Sequence, residues 1–341
     1  MAINNVSDLN STTDYNNSFS GQAIEGCFMT YIVRKPTTSY IVNSVFGILV
    51  NAILAILGTF LNALVVAIFW QTPKLRNKVT YFMIMLLSCV DICVTIIVHP
   101  TNLLNSIAEI TQNPKCAYKM VYQTSAVMLS GMSYLTFFVM NVERYLSVCR
   151  PFFHMKSVTK ERCFILCAVL WLIGIGTAIA PIFGADIQFF VTAMALLVLA
   201  GTFFIYLSIY RVANKGRESR LRSANRGGQE AYSVTIEETT SALESRHSTR
   251  PKKTISLFHD LQIAKMYVIV VCTTLLLNLP NALVLALFSD RVETLNGVVQ
   301  SKIWTLTLVS MNSTLNSLIF FWANGRLREE GWRLCKKVFR F

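Results

Sequence analysis

The stretch ERYLSVCRPF (Glu143–Phe152) follows without a break on an apolar run, Met120–Val142. An acid and a base in succession are costly next to hydrocarbon, so Glu143 and Arg144 belong at a membrane face, with partners. Six further runs have the required length of about 20 mostly apolar residues. In order, the seven are Ile41–Trp70, Val79–Ser106, Met120–Val142, Cys163–Gly184, Ile187–Tyr210, Met266–Ser289 and Ile303–Trp322. Only the second contains a charged residue, Asp91, with His99 near its far end. The chain is 53% hydrophobic and 14% charged with a mean hydropathy of +0.49, too apolar for one ordinary soluble domain. Charged connectors separate the runs, which argues for a polytopic bundle rather than a buried globular core. The expected fold is an all-α membrane protein, a seven-transmembrane helix bundle.

Lysine and arginine orient the bundle. With odd-numbered connections in the cytoplasm, the basic residues left outside are only Arg34, Lys35, Lys115, Lys119, Arg291 and Lys302, out of 31. That bias places the amino terminus outside. The net charge of +13 is then mostly topology, with some attraction to anionic inner-leaflet lipid, and calls for no nucleic-acid partner. Residues 1–40 read as an extracellular tail without a cleavable signal peptide. It carries glycosylation sequons at Asn5, Asn10 and Asn16. Residues 41–323 form the membrane domain, and within it 213–259 read as a flexible third cytoplasmic loop with many serines and threonines. Residues 324–341 read as a short eighth helix. Leu327, Gly331, Leu334, Cys335 and Val338 share one face among basic neighbours, the pattern of a helix lying in the membrane interface. Cys335 is a candidate palmitoylation site or a plain interfacial cysteine.

Glu143-Arg144-Tyr145, followed by Pro151 and Phe152, resembles the inner end of helix 3 in rhodopsin-like (class A) G protein-coupled receptors. Leu75–Phe82 resembles that family's first inner loop, Trp171 its helix 4 tryptophan and Pro280 its helix 6 proline. Asn316–Phe320 resembles its helix 7 NPxxY motif. The resemblance implies that Arg144 holds the resting state and then contacts a heterotrimeric G protein. It implies that Asp260 pairs with Arg144 and that Tyr206 takes part. Arrestin, a receptor kinase, membrane lipid and an extracellular ligand are further implied partners, at the plasma membrane. It also implies an allosteric sodium ion among Asp91, Ser133, Asn312, Ser313 and Asn316, and no other cofactor. Oxygen ligands suit a hard cation. Departures from the pattern are Ser317 and Phe320 in helix 7, Asn278 and Thr274 in place of the helix 6 aromatics, and Val198 in place of the helix 5 proline.

The expected ligand pocket is lined by Thr101, Asn102, Asn105, Gln123, Ala126, Val127, Ser130, Asn278, Leu285, Phe288 and Lys302. Amine receptors of this family have an aspartate where Ala126 stands, and opsins a lysine where Ser310 stands. The very short second outer connection and missing helix 5 proline resemble the melanocortin-type branch, but Thr101, Lys119 and Gln123 replace its acids. A lipid, a small neutral molecule and a peptide all remain open. The family ties helix 3 to the second outer loop by a disulfide, but Lys119 stands at that cysteine position and the loop has none. Only Cys27 and Cys116 reach the oxidising side. They are expected to bridge and fold the tail over the pocket; two free thiols, or a bridge between chains, are the alternatives.

The alternative function is a seven-helix transporter or channel, which usually shows charges in several helices or broken repeats. An enzyme is not expected: the four histidines are scattered and no Gly-x-Ser-x-Gly elbow occurs.

Overall fold

The computed structural model describes residues 21–22, 32–33, 36–183, 188–234, 269, 272–284 and 296–338. The helices are α1 (Thr38–Gln71), α2 (Val79–Ile110), α3 (Cys116–Cys149), α4 (Lys160–Ile179), α5 (Gln188–Val234), α6 (Cys272–Val284), α7 (Asn296–Ala323) and α8 (Gly325–Val338). Short helices Pro73–Arg76 and Pro151–Ser157 join α1 to α2 and α3 to α4. A two-residue ladder pairs Gly21–Gln22 with Ile32–Val33 antiparallel. Among the described residues, five helices (α1 to α5) are long and apolar enough to cross a membrane, and α6 is a shorter apolar helix.

Helix is the conformation this solvent demands, because hydrocarbon offers no partner to backbone N–H and C=O groups. The ends are set locally. Thr37 accepts from the Tyr40 N–H at 3.2 Å and Thr159 from the Arg162 N–H at 3.3 Å, both N-caps. Pro73 and Pro151 open the short helices, where their missing N–H costs nothing. Asn324 accepts from the N–H groups of Arg326 and Leu327 and starts α8. In α2, Val94–Val98 form a π turn just before His99-Pro100. A wider turn accommodates the proline, which can neither donate nor tolerate a tight preceding turn.

One expectation needs correction. The loop expected over 213–259 is helical at its start, because α5 continues to Val234. A charged helical extension satisfies its own backbone hydrogen bonds and needs no packing partner in water. Residues 235–259 lie outside the described residues.

Burial is inverted relative to a soluble protein. Ile56, Leu172 and Phe204 are 73%, 69% and 69% exposed, whereas Asn51, Asn62, Asp91, Thr95 and His99 are buried. An apolar cluster near the end of the bundle where α1 finishes includes Ile68, Tyr81, Phe137, Met140, Phe320 and Leu327. Between α1, α2 and α7 runs a polar seam. Asn62 donates to the Gly58 and Ser313 carbonyls at 2.9 and 3.2 Å, and Thr59 donates to Thr95 at 2.9 Å. Asn51 donates to Thr307 at 3.0 Å, and Thr314 donates to the Leu54 carbonyl at 3.2 Å. In lipid the hydrophobic effect does not hold helices together; close packing of small residues and interhelical hydrogen bonds do. Gly58 is such a contact, since a Cβ there would meet Thr314 Oγ1 at 2.5 Å and Thr95 Cγ2 at 2.6 Å. Trp171 ties α4 to α3 by donating to Thr136 at 2.9 Å.

Candidate functional site: a cavity, a buried carboxylate and a polar cluster on one helix

Three arrangements lie along α3. At the end of the bundle where α1 begins is a cavity of about 370 Å³. Of the residues read as pocket-lining, Asn102, Asn105, Gln123, Ala126, Val127, Ser130 and Asn278 line this cavity. Thr101 does not. Its hydroxyl donates back to the Ile97 carbonyl at 2.8 Å and lies 3.5 Å from Ser125, the usual back-bonding of a helical threonine. The π turn just before it resets which face of α2 looks inward. Leu285, Phe288 and the Lys302 side chain lie outside what the structure describes.

The strongest polar group of the cavity was not expected. Glu109, on the last turn of α2, takes an ion pair from Lys119 at 3.1 Å and hydrogen bonds from Tyr40 at 2.5 Å and Asn105 at 3.3 Å. All four residues line the cavity. The second run is read as ending at Ser106, one turn short of Glu109, although Ile107, Ala108 and Ile110 continue the apolar pattern. The available signal was the spacing Asn102, Asn105, Glu109, which puts three polar groups on one helical face. Farther in, His99 faces Asn51 with 2.9 Å between Nδ1 and Oδ1, and its buried Nε2 has no hydrogen-bond partner among the described residues.

Midway along the bundle Asp91 is fully buried. Ser133 donates to Oδ1 at 2.6 Å and Asn316 to Oδ2 at 3.4 Å, and the Ser313 side chain bonds the same carboxylate. Asn312 turns instead to α6: its Oδ1 accepts from Thr274 at 3.2 Å. Asn278, one turn beyond Thr274 and lining the cavity, donates to the Thr274 carbonyl at 2.8 Å. Helix 6 thus carries a polar connection at the positions the family fills with aromatics. Tyr134 donates to the Ala195 carbonyl at 3.4 Å, and Tyr206 packs against Tyr210 with ring centroids 6.3 Å apart.

At the opposite end Glu143 and Arg144 are both buried. One carboxylate oxygen of Glu143 lies 2.9 Å from Arg144 Nε and the other 2.9 Å from His154 Nε2. His154, on the short helix after α3, is one of the four histidines scattered along the sequence. Folding of Pro151–Ser157 against α3 brings it to the acid. Tyr145 is half-buried, and Pro151 and Phe152 are exposed beside it. Asp260 lies outside the described residues.

Cys116 is disulfide-bonded, and the seven other described cysteines are free, Cys335 among them. Cys27, Asn5, Asn10 and Asn16 lie outside the described residues. No cluster of three or more His, Cys, Asp or Glu side chains suited to a metal occurs among the described residues.

Residues 61–320 match the model of the seven-transmembrane receptor family (rhodopsin family). Cannabinoid receptor 1 of Xenopus laevis is 24% identical over 300 residues, covering 80% of this chain and 60% of that receptor. The D(1A) dopamine receptor of Didelphis virginiana is 31% identical over 130 residues, covering 38% of this chain and 29% of the receptor. An ultraviolet-sensitive opsin of Melopsittacus undulatus is 26% identical over 155 residues, covering 45% and 42%. The chain therefore spans less than two thirds of the length of the curated relatives it matches. The family match covers most of the chain and contains Asp91, Ser133, Arg144 and Asn316, so the protein is a multi-pass membrane protein of the rhodopsin family of seven-transmembrane receptors.

Proposed function

We infer that the protein is a cell-surface G protein-coupled receptor with its amino terminus outside. It takes an extracellular ligand in the cavity and activates a heterotrimeric G protein through the inner ends of α3, α5, α6 and α7. The observation that carries this reading is the reach of α3. It contributes Lys119 to the cavity and Arg144 to the buried cluster at the other end. Those residues are separated by about 37 Å at 1.5 Å of rise per residue. A rigid helix touching both sites is a route by which a ligand outside biases contacts inside, provided the two ends have discrete alternative arrangements. Glu143 splits its oxygens between Arg144 and His154, which holds the arginine close to α3 until a partner replaces the acid. Arrestin and a receptor kinase are further proposed partners at this face, the serines and threonines of 213–259 being candidate substrates. Basic α8 and Cys335 would rest on inner-leaflet lipid.

Residues around Asp91 fit a sodium ion. A lone, fully buried carboxylate is costly without a compensating charge. Oxygens of Ser133, Ser313, Asn312 and Asn316 stand on the same levels of α3 and α7, and buried Asn62 Oδ1 has no hydrogen-bond partner among the described residues. Asp91 and Ser133 would hold the ion, which would neutralise the carboxylate and favour the resting arrangement. At the outer face, a Cys27–Cys116 bridge would fold the tail toward the cavity mouth, and Asn5, Asn10 and Asn16 would carry glycans.

The test is nucleotide exchange on a panel of purified G proteins, with the receptor in lipid nanodiscs, first without ligand and then with lipid, nucleoside and peptide libraries. Arg144→Ala is expected to abolish exchange at unchanged surface expression. Exchange that persists in Arg144→Ala, or is absent for every G protein with the wild type, overturns the reading.

A further inference from the structure

The two walls of the cavity differ in chemistry. On one side Asn102, Asn105 and Ser106 of α2 and Gln123 of α3 surround the Glu109–Lys119 pair. On the other, α4 and α5 present mainly apolar side chains such as Ile173, Val191, Met194 and Leu199, with Thr177 and Thr192 among them. A cavity with a polar, charged side and a mainly apolar one suits an amphiphile.

Charge balance then selects the head. Glu109 and Lys119 are the only ions among the described residues that line the cavity. Their side chains are 5% and 17% exposed, so their charges are largely withdrawn from water. One carboxylate oxygen of Glu109 already receives Lys119 and Asn105, and the other receives Tyr40. Lys119 has three N–H groups. It spends one on Glu109, and no other acceptor for it is recorded among the described residues. The pair is neutral as a unit and leaves donors facing the cavity. A charged head would bring an unbalanced charge into a poorly solvated space, which is strongly disfavoured. An uncharged head with acceptor oxygens leaves the balance intact and takes up the remaining Lys119 protons and the amides of Gln123 and Asn102.

A slot for the chain is also present. Gly131 and Gly174 line the cavity between α3 and α4, beside Leu135 and Ile173. A Cβ added at Gly131 would meet nothing within 4 Å, and one at Gly174 would meet only Leu135 Cδ1 at 3.8 Å. Their missing side chains leave open apolar space next to the polar wall.

Taking the receptor reading for the orientation of this cavity, we propose that its ligand is an uncharged single-chain amphiphile. The neutral Glu109–Lys119 pair selects its polar head, and the Gly131–Gly174 slot receives its tail. Glu109 and Lys119 are then specificity-determining residues acting together, and removing either one changes which charge the site prefers.

Three probes with the same chain separate the heads: monooleoylglycerol (neutral), oleate (anionic) and oleylamine (cationic), each with a photoreactive group in the chain. Labelling of purified receptor in phosphatidylcholine nanodiscs is mapped to cavity peptides. Wild type and variants are compared in the same lipid, which cancels partitioning into the bilayer. The neutral probe is expected to label cavity peptides at concentrations about tenfold lower than either charged probe, a difference of about 1.4 kcal/mol. Glu109→Gln leaves Lys119 unbalanced and should move the preference to oleate. Lys119→Gln leaves Glu109 unbalanced and should move it to oleylamine, testing the same rule with opposite sign should one variant fail to fold. Gly131→Leu should weaken all three probes without lowering the melting temperature of the ligand-free protein. A wild type that prefers a charged head or labels with none of the probes, a ranking unmoved by both charge variants, or full labelling in Gly131→Leu overturns the proposal. Labelling needs no G protein. A receptor that binds the neutral probe but drives no exchange defeats the functional reading and leaves this one standing.

Discussion

Gly58 is the tightest helix contact among the described glycines, and replacing it by alanine tests whether the polar seam depends on close approach. The new Cβ would lie 2.5 Å from Thr314 Oγ1 and 2.6 Å from Thr95 Cγ2, against ordinary contacts of 3.4–4 Å. Each neighbour must therefore give way by about 1 Å, and neither is free to do so. Thr314 Oγ1 donates to the Leu54 carbonyl, and Thr95 both receives Thr59 and donates to the Ile92 carbonyl. Rotating either threonine breaks a buried hydrogen bond worth about 1 kcal/mol, and β-branched side chains in helices have few alternative rotamers. Moving α1 away instead stretches the Asn62 bond to the Ser313 carbonyl. Overpacking of this kind costs about 1–3 kcal/mol, against which alanine's helix preference returns at most about 1 kcal/mol. The net expectation is a loss of about 1–2 kcal/mol, seen as a melting temperature lower by roughly 2–8 °C for purified protein in nanodiscs. Gly131→Ala, where an added Cβ meets nothing within 4 Å, is the control and should not destabilise. Thr95→Ser, which removes Cγ2 but keeps the hydroxyl, should recover part of the loss when combined with Gly58→Ala. Equal melting temperatures for Gly58→Ala and wild type would refute the close-contact argument.

Sodium should raise the melting temperature of the wild type relative to choline at equal ionic strength, which cancels general screening, and Asp91→Asn should abolish the difference. Identical wild-type curves in the two salts would make Asp91 a hydrogen-bonding group only. Thr274→Val keeps shape but removes the donor to Asn312 Oδ1, loosening the α6–α7 tie by about 1 kcal/mol. Basal nucleotide exchange should then rise about fivefold; unchanged or lower basal exchange argues against a restraining role. Trp171→Phe removes the indole bond to buried Thr136 and should cost about 1 kcal/mol in thermal stability. An unshifted melting curve would show that Trp171 acts by packing alone.

The positions of the spans were legible because lipid makes them a local property. A helix in hydrocarbon must satisfy its own backbone and show apolar residues outward, so length and composition mark it without knowledge of its neighbours. Glu143–Arg144 and Asp91 stood out for the same reason: charge beside or within hydrocarbon is conspicuous in one dimension. Boundaries were less legible. Helix ends lie in polar surroundings, where the apolar signal stops before the helix does. The loop expected from 213 is therefore helix as far as Val234, and the second span, bounded at Ser106, continues as α2 through Ile107, Ala108 and Glu109 to Ile110.

Local sequence thus determined a membrane bundle, the charged cluster at one of its ends and its buried acid. Only the tertiary structure decided which polar groups meet. Tyr40, Asn105, Glu109 and Lys119 come from three helices and form one neutral cluster only because those helix faces converge. His154 reaches Glu143 through the fold of a short connecting helix, and Thr274 finds Asn312 across 38 residues of chain. Hydropathy is carried by each residue separately, whereas a hydrogen bond between helices depends on rotation, register and distance set by all the others.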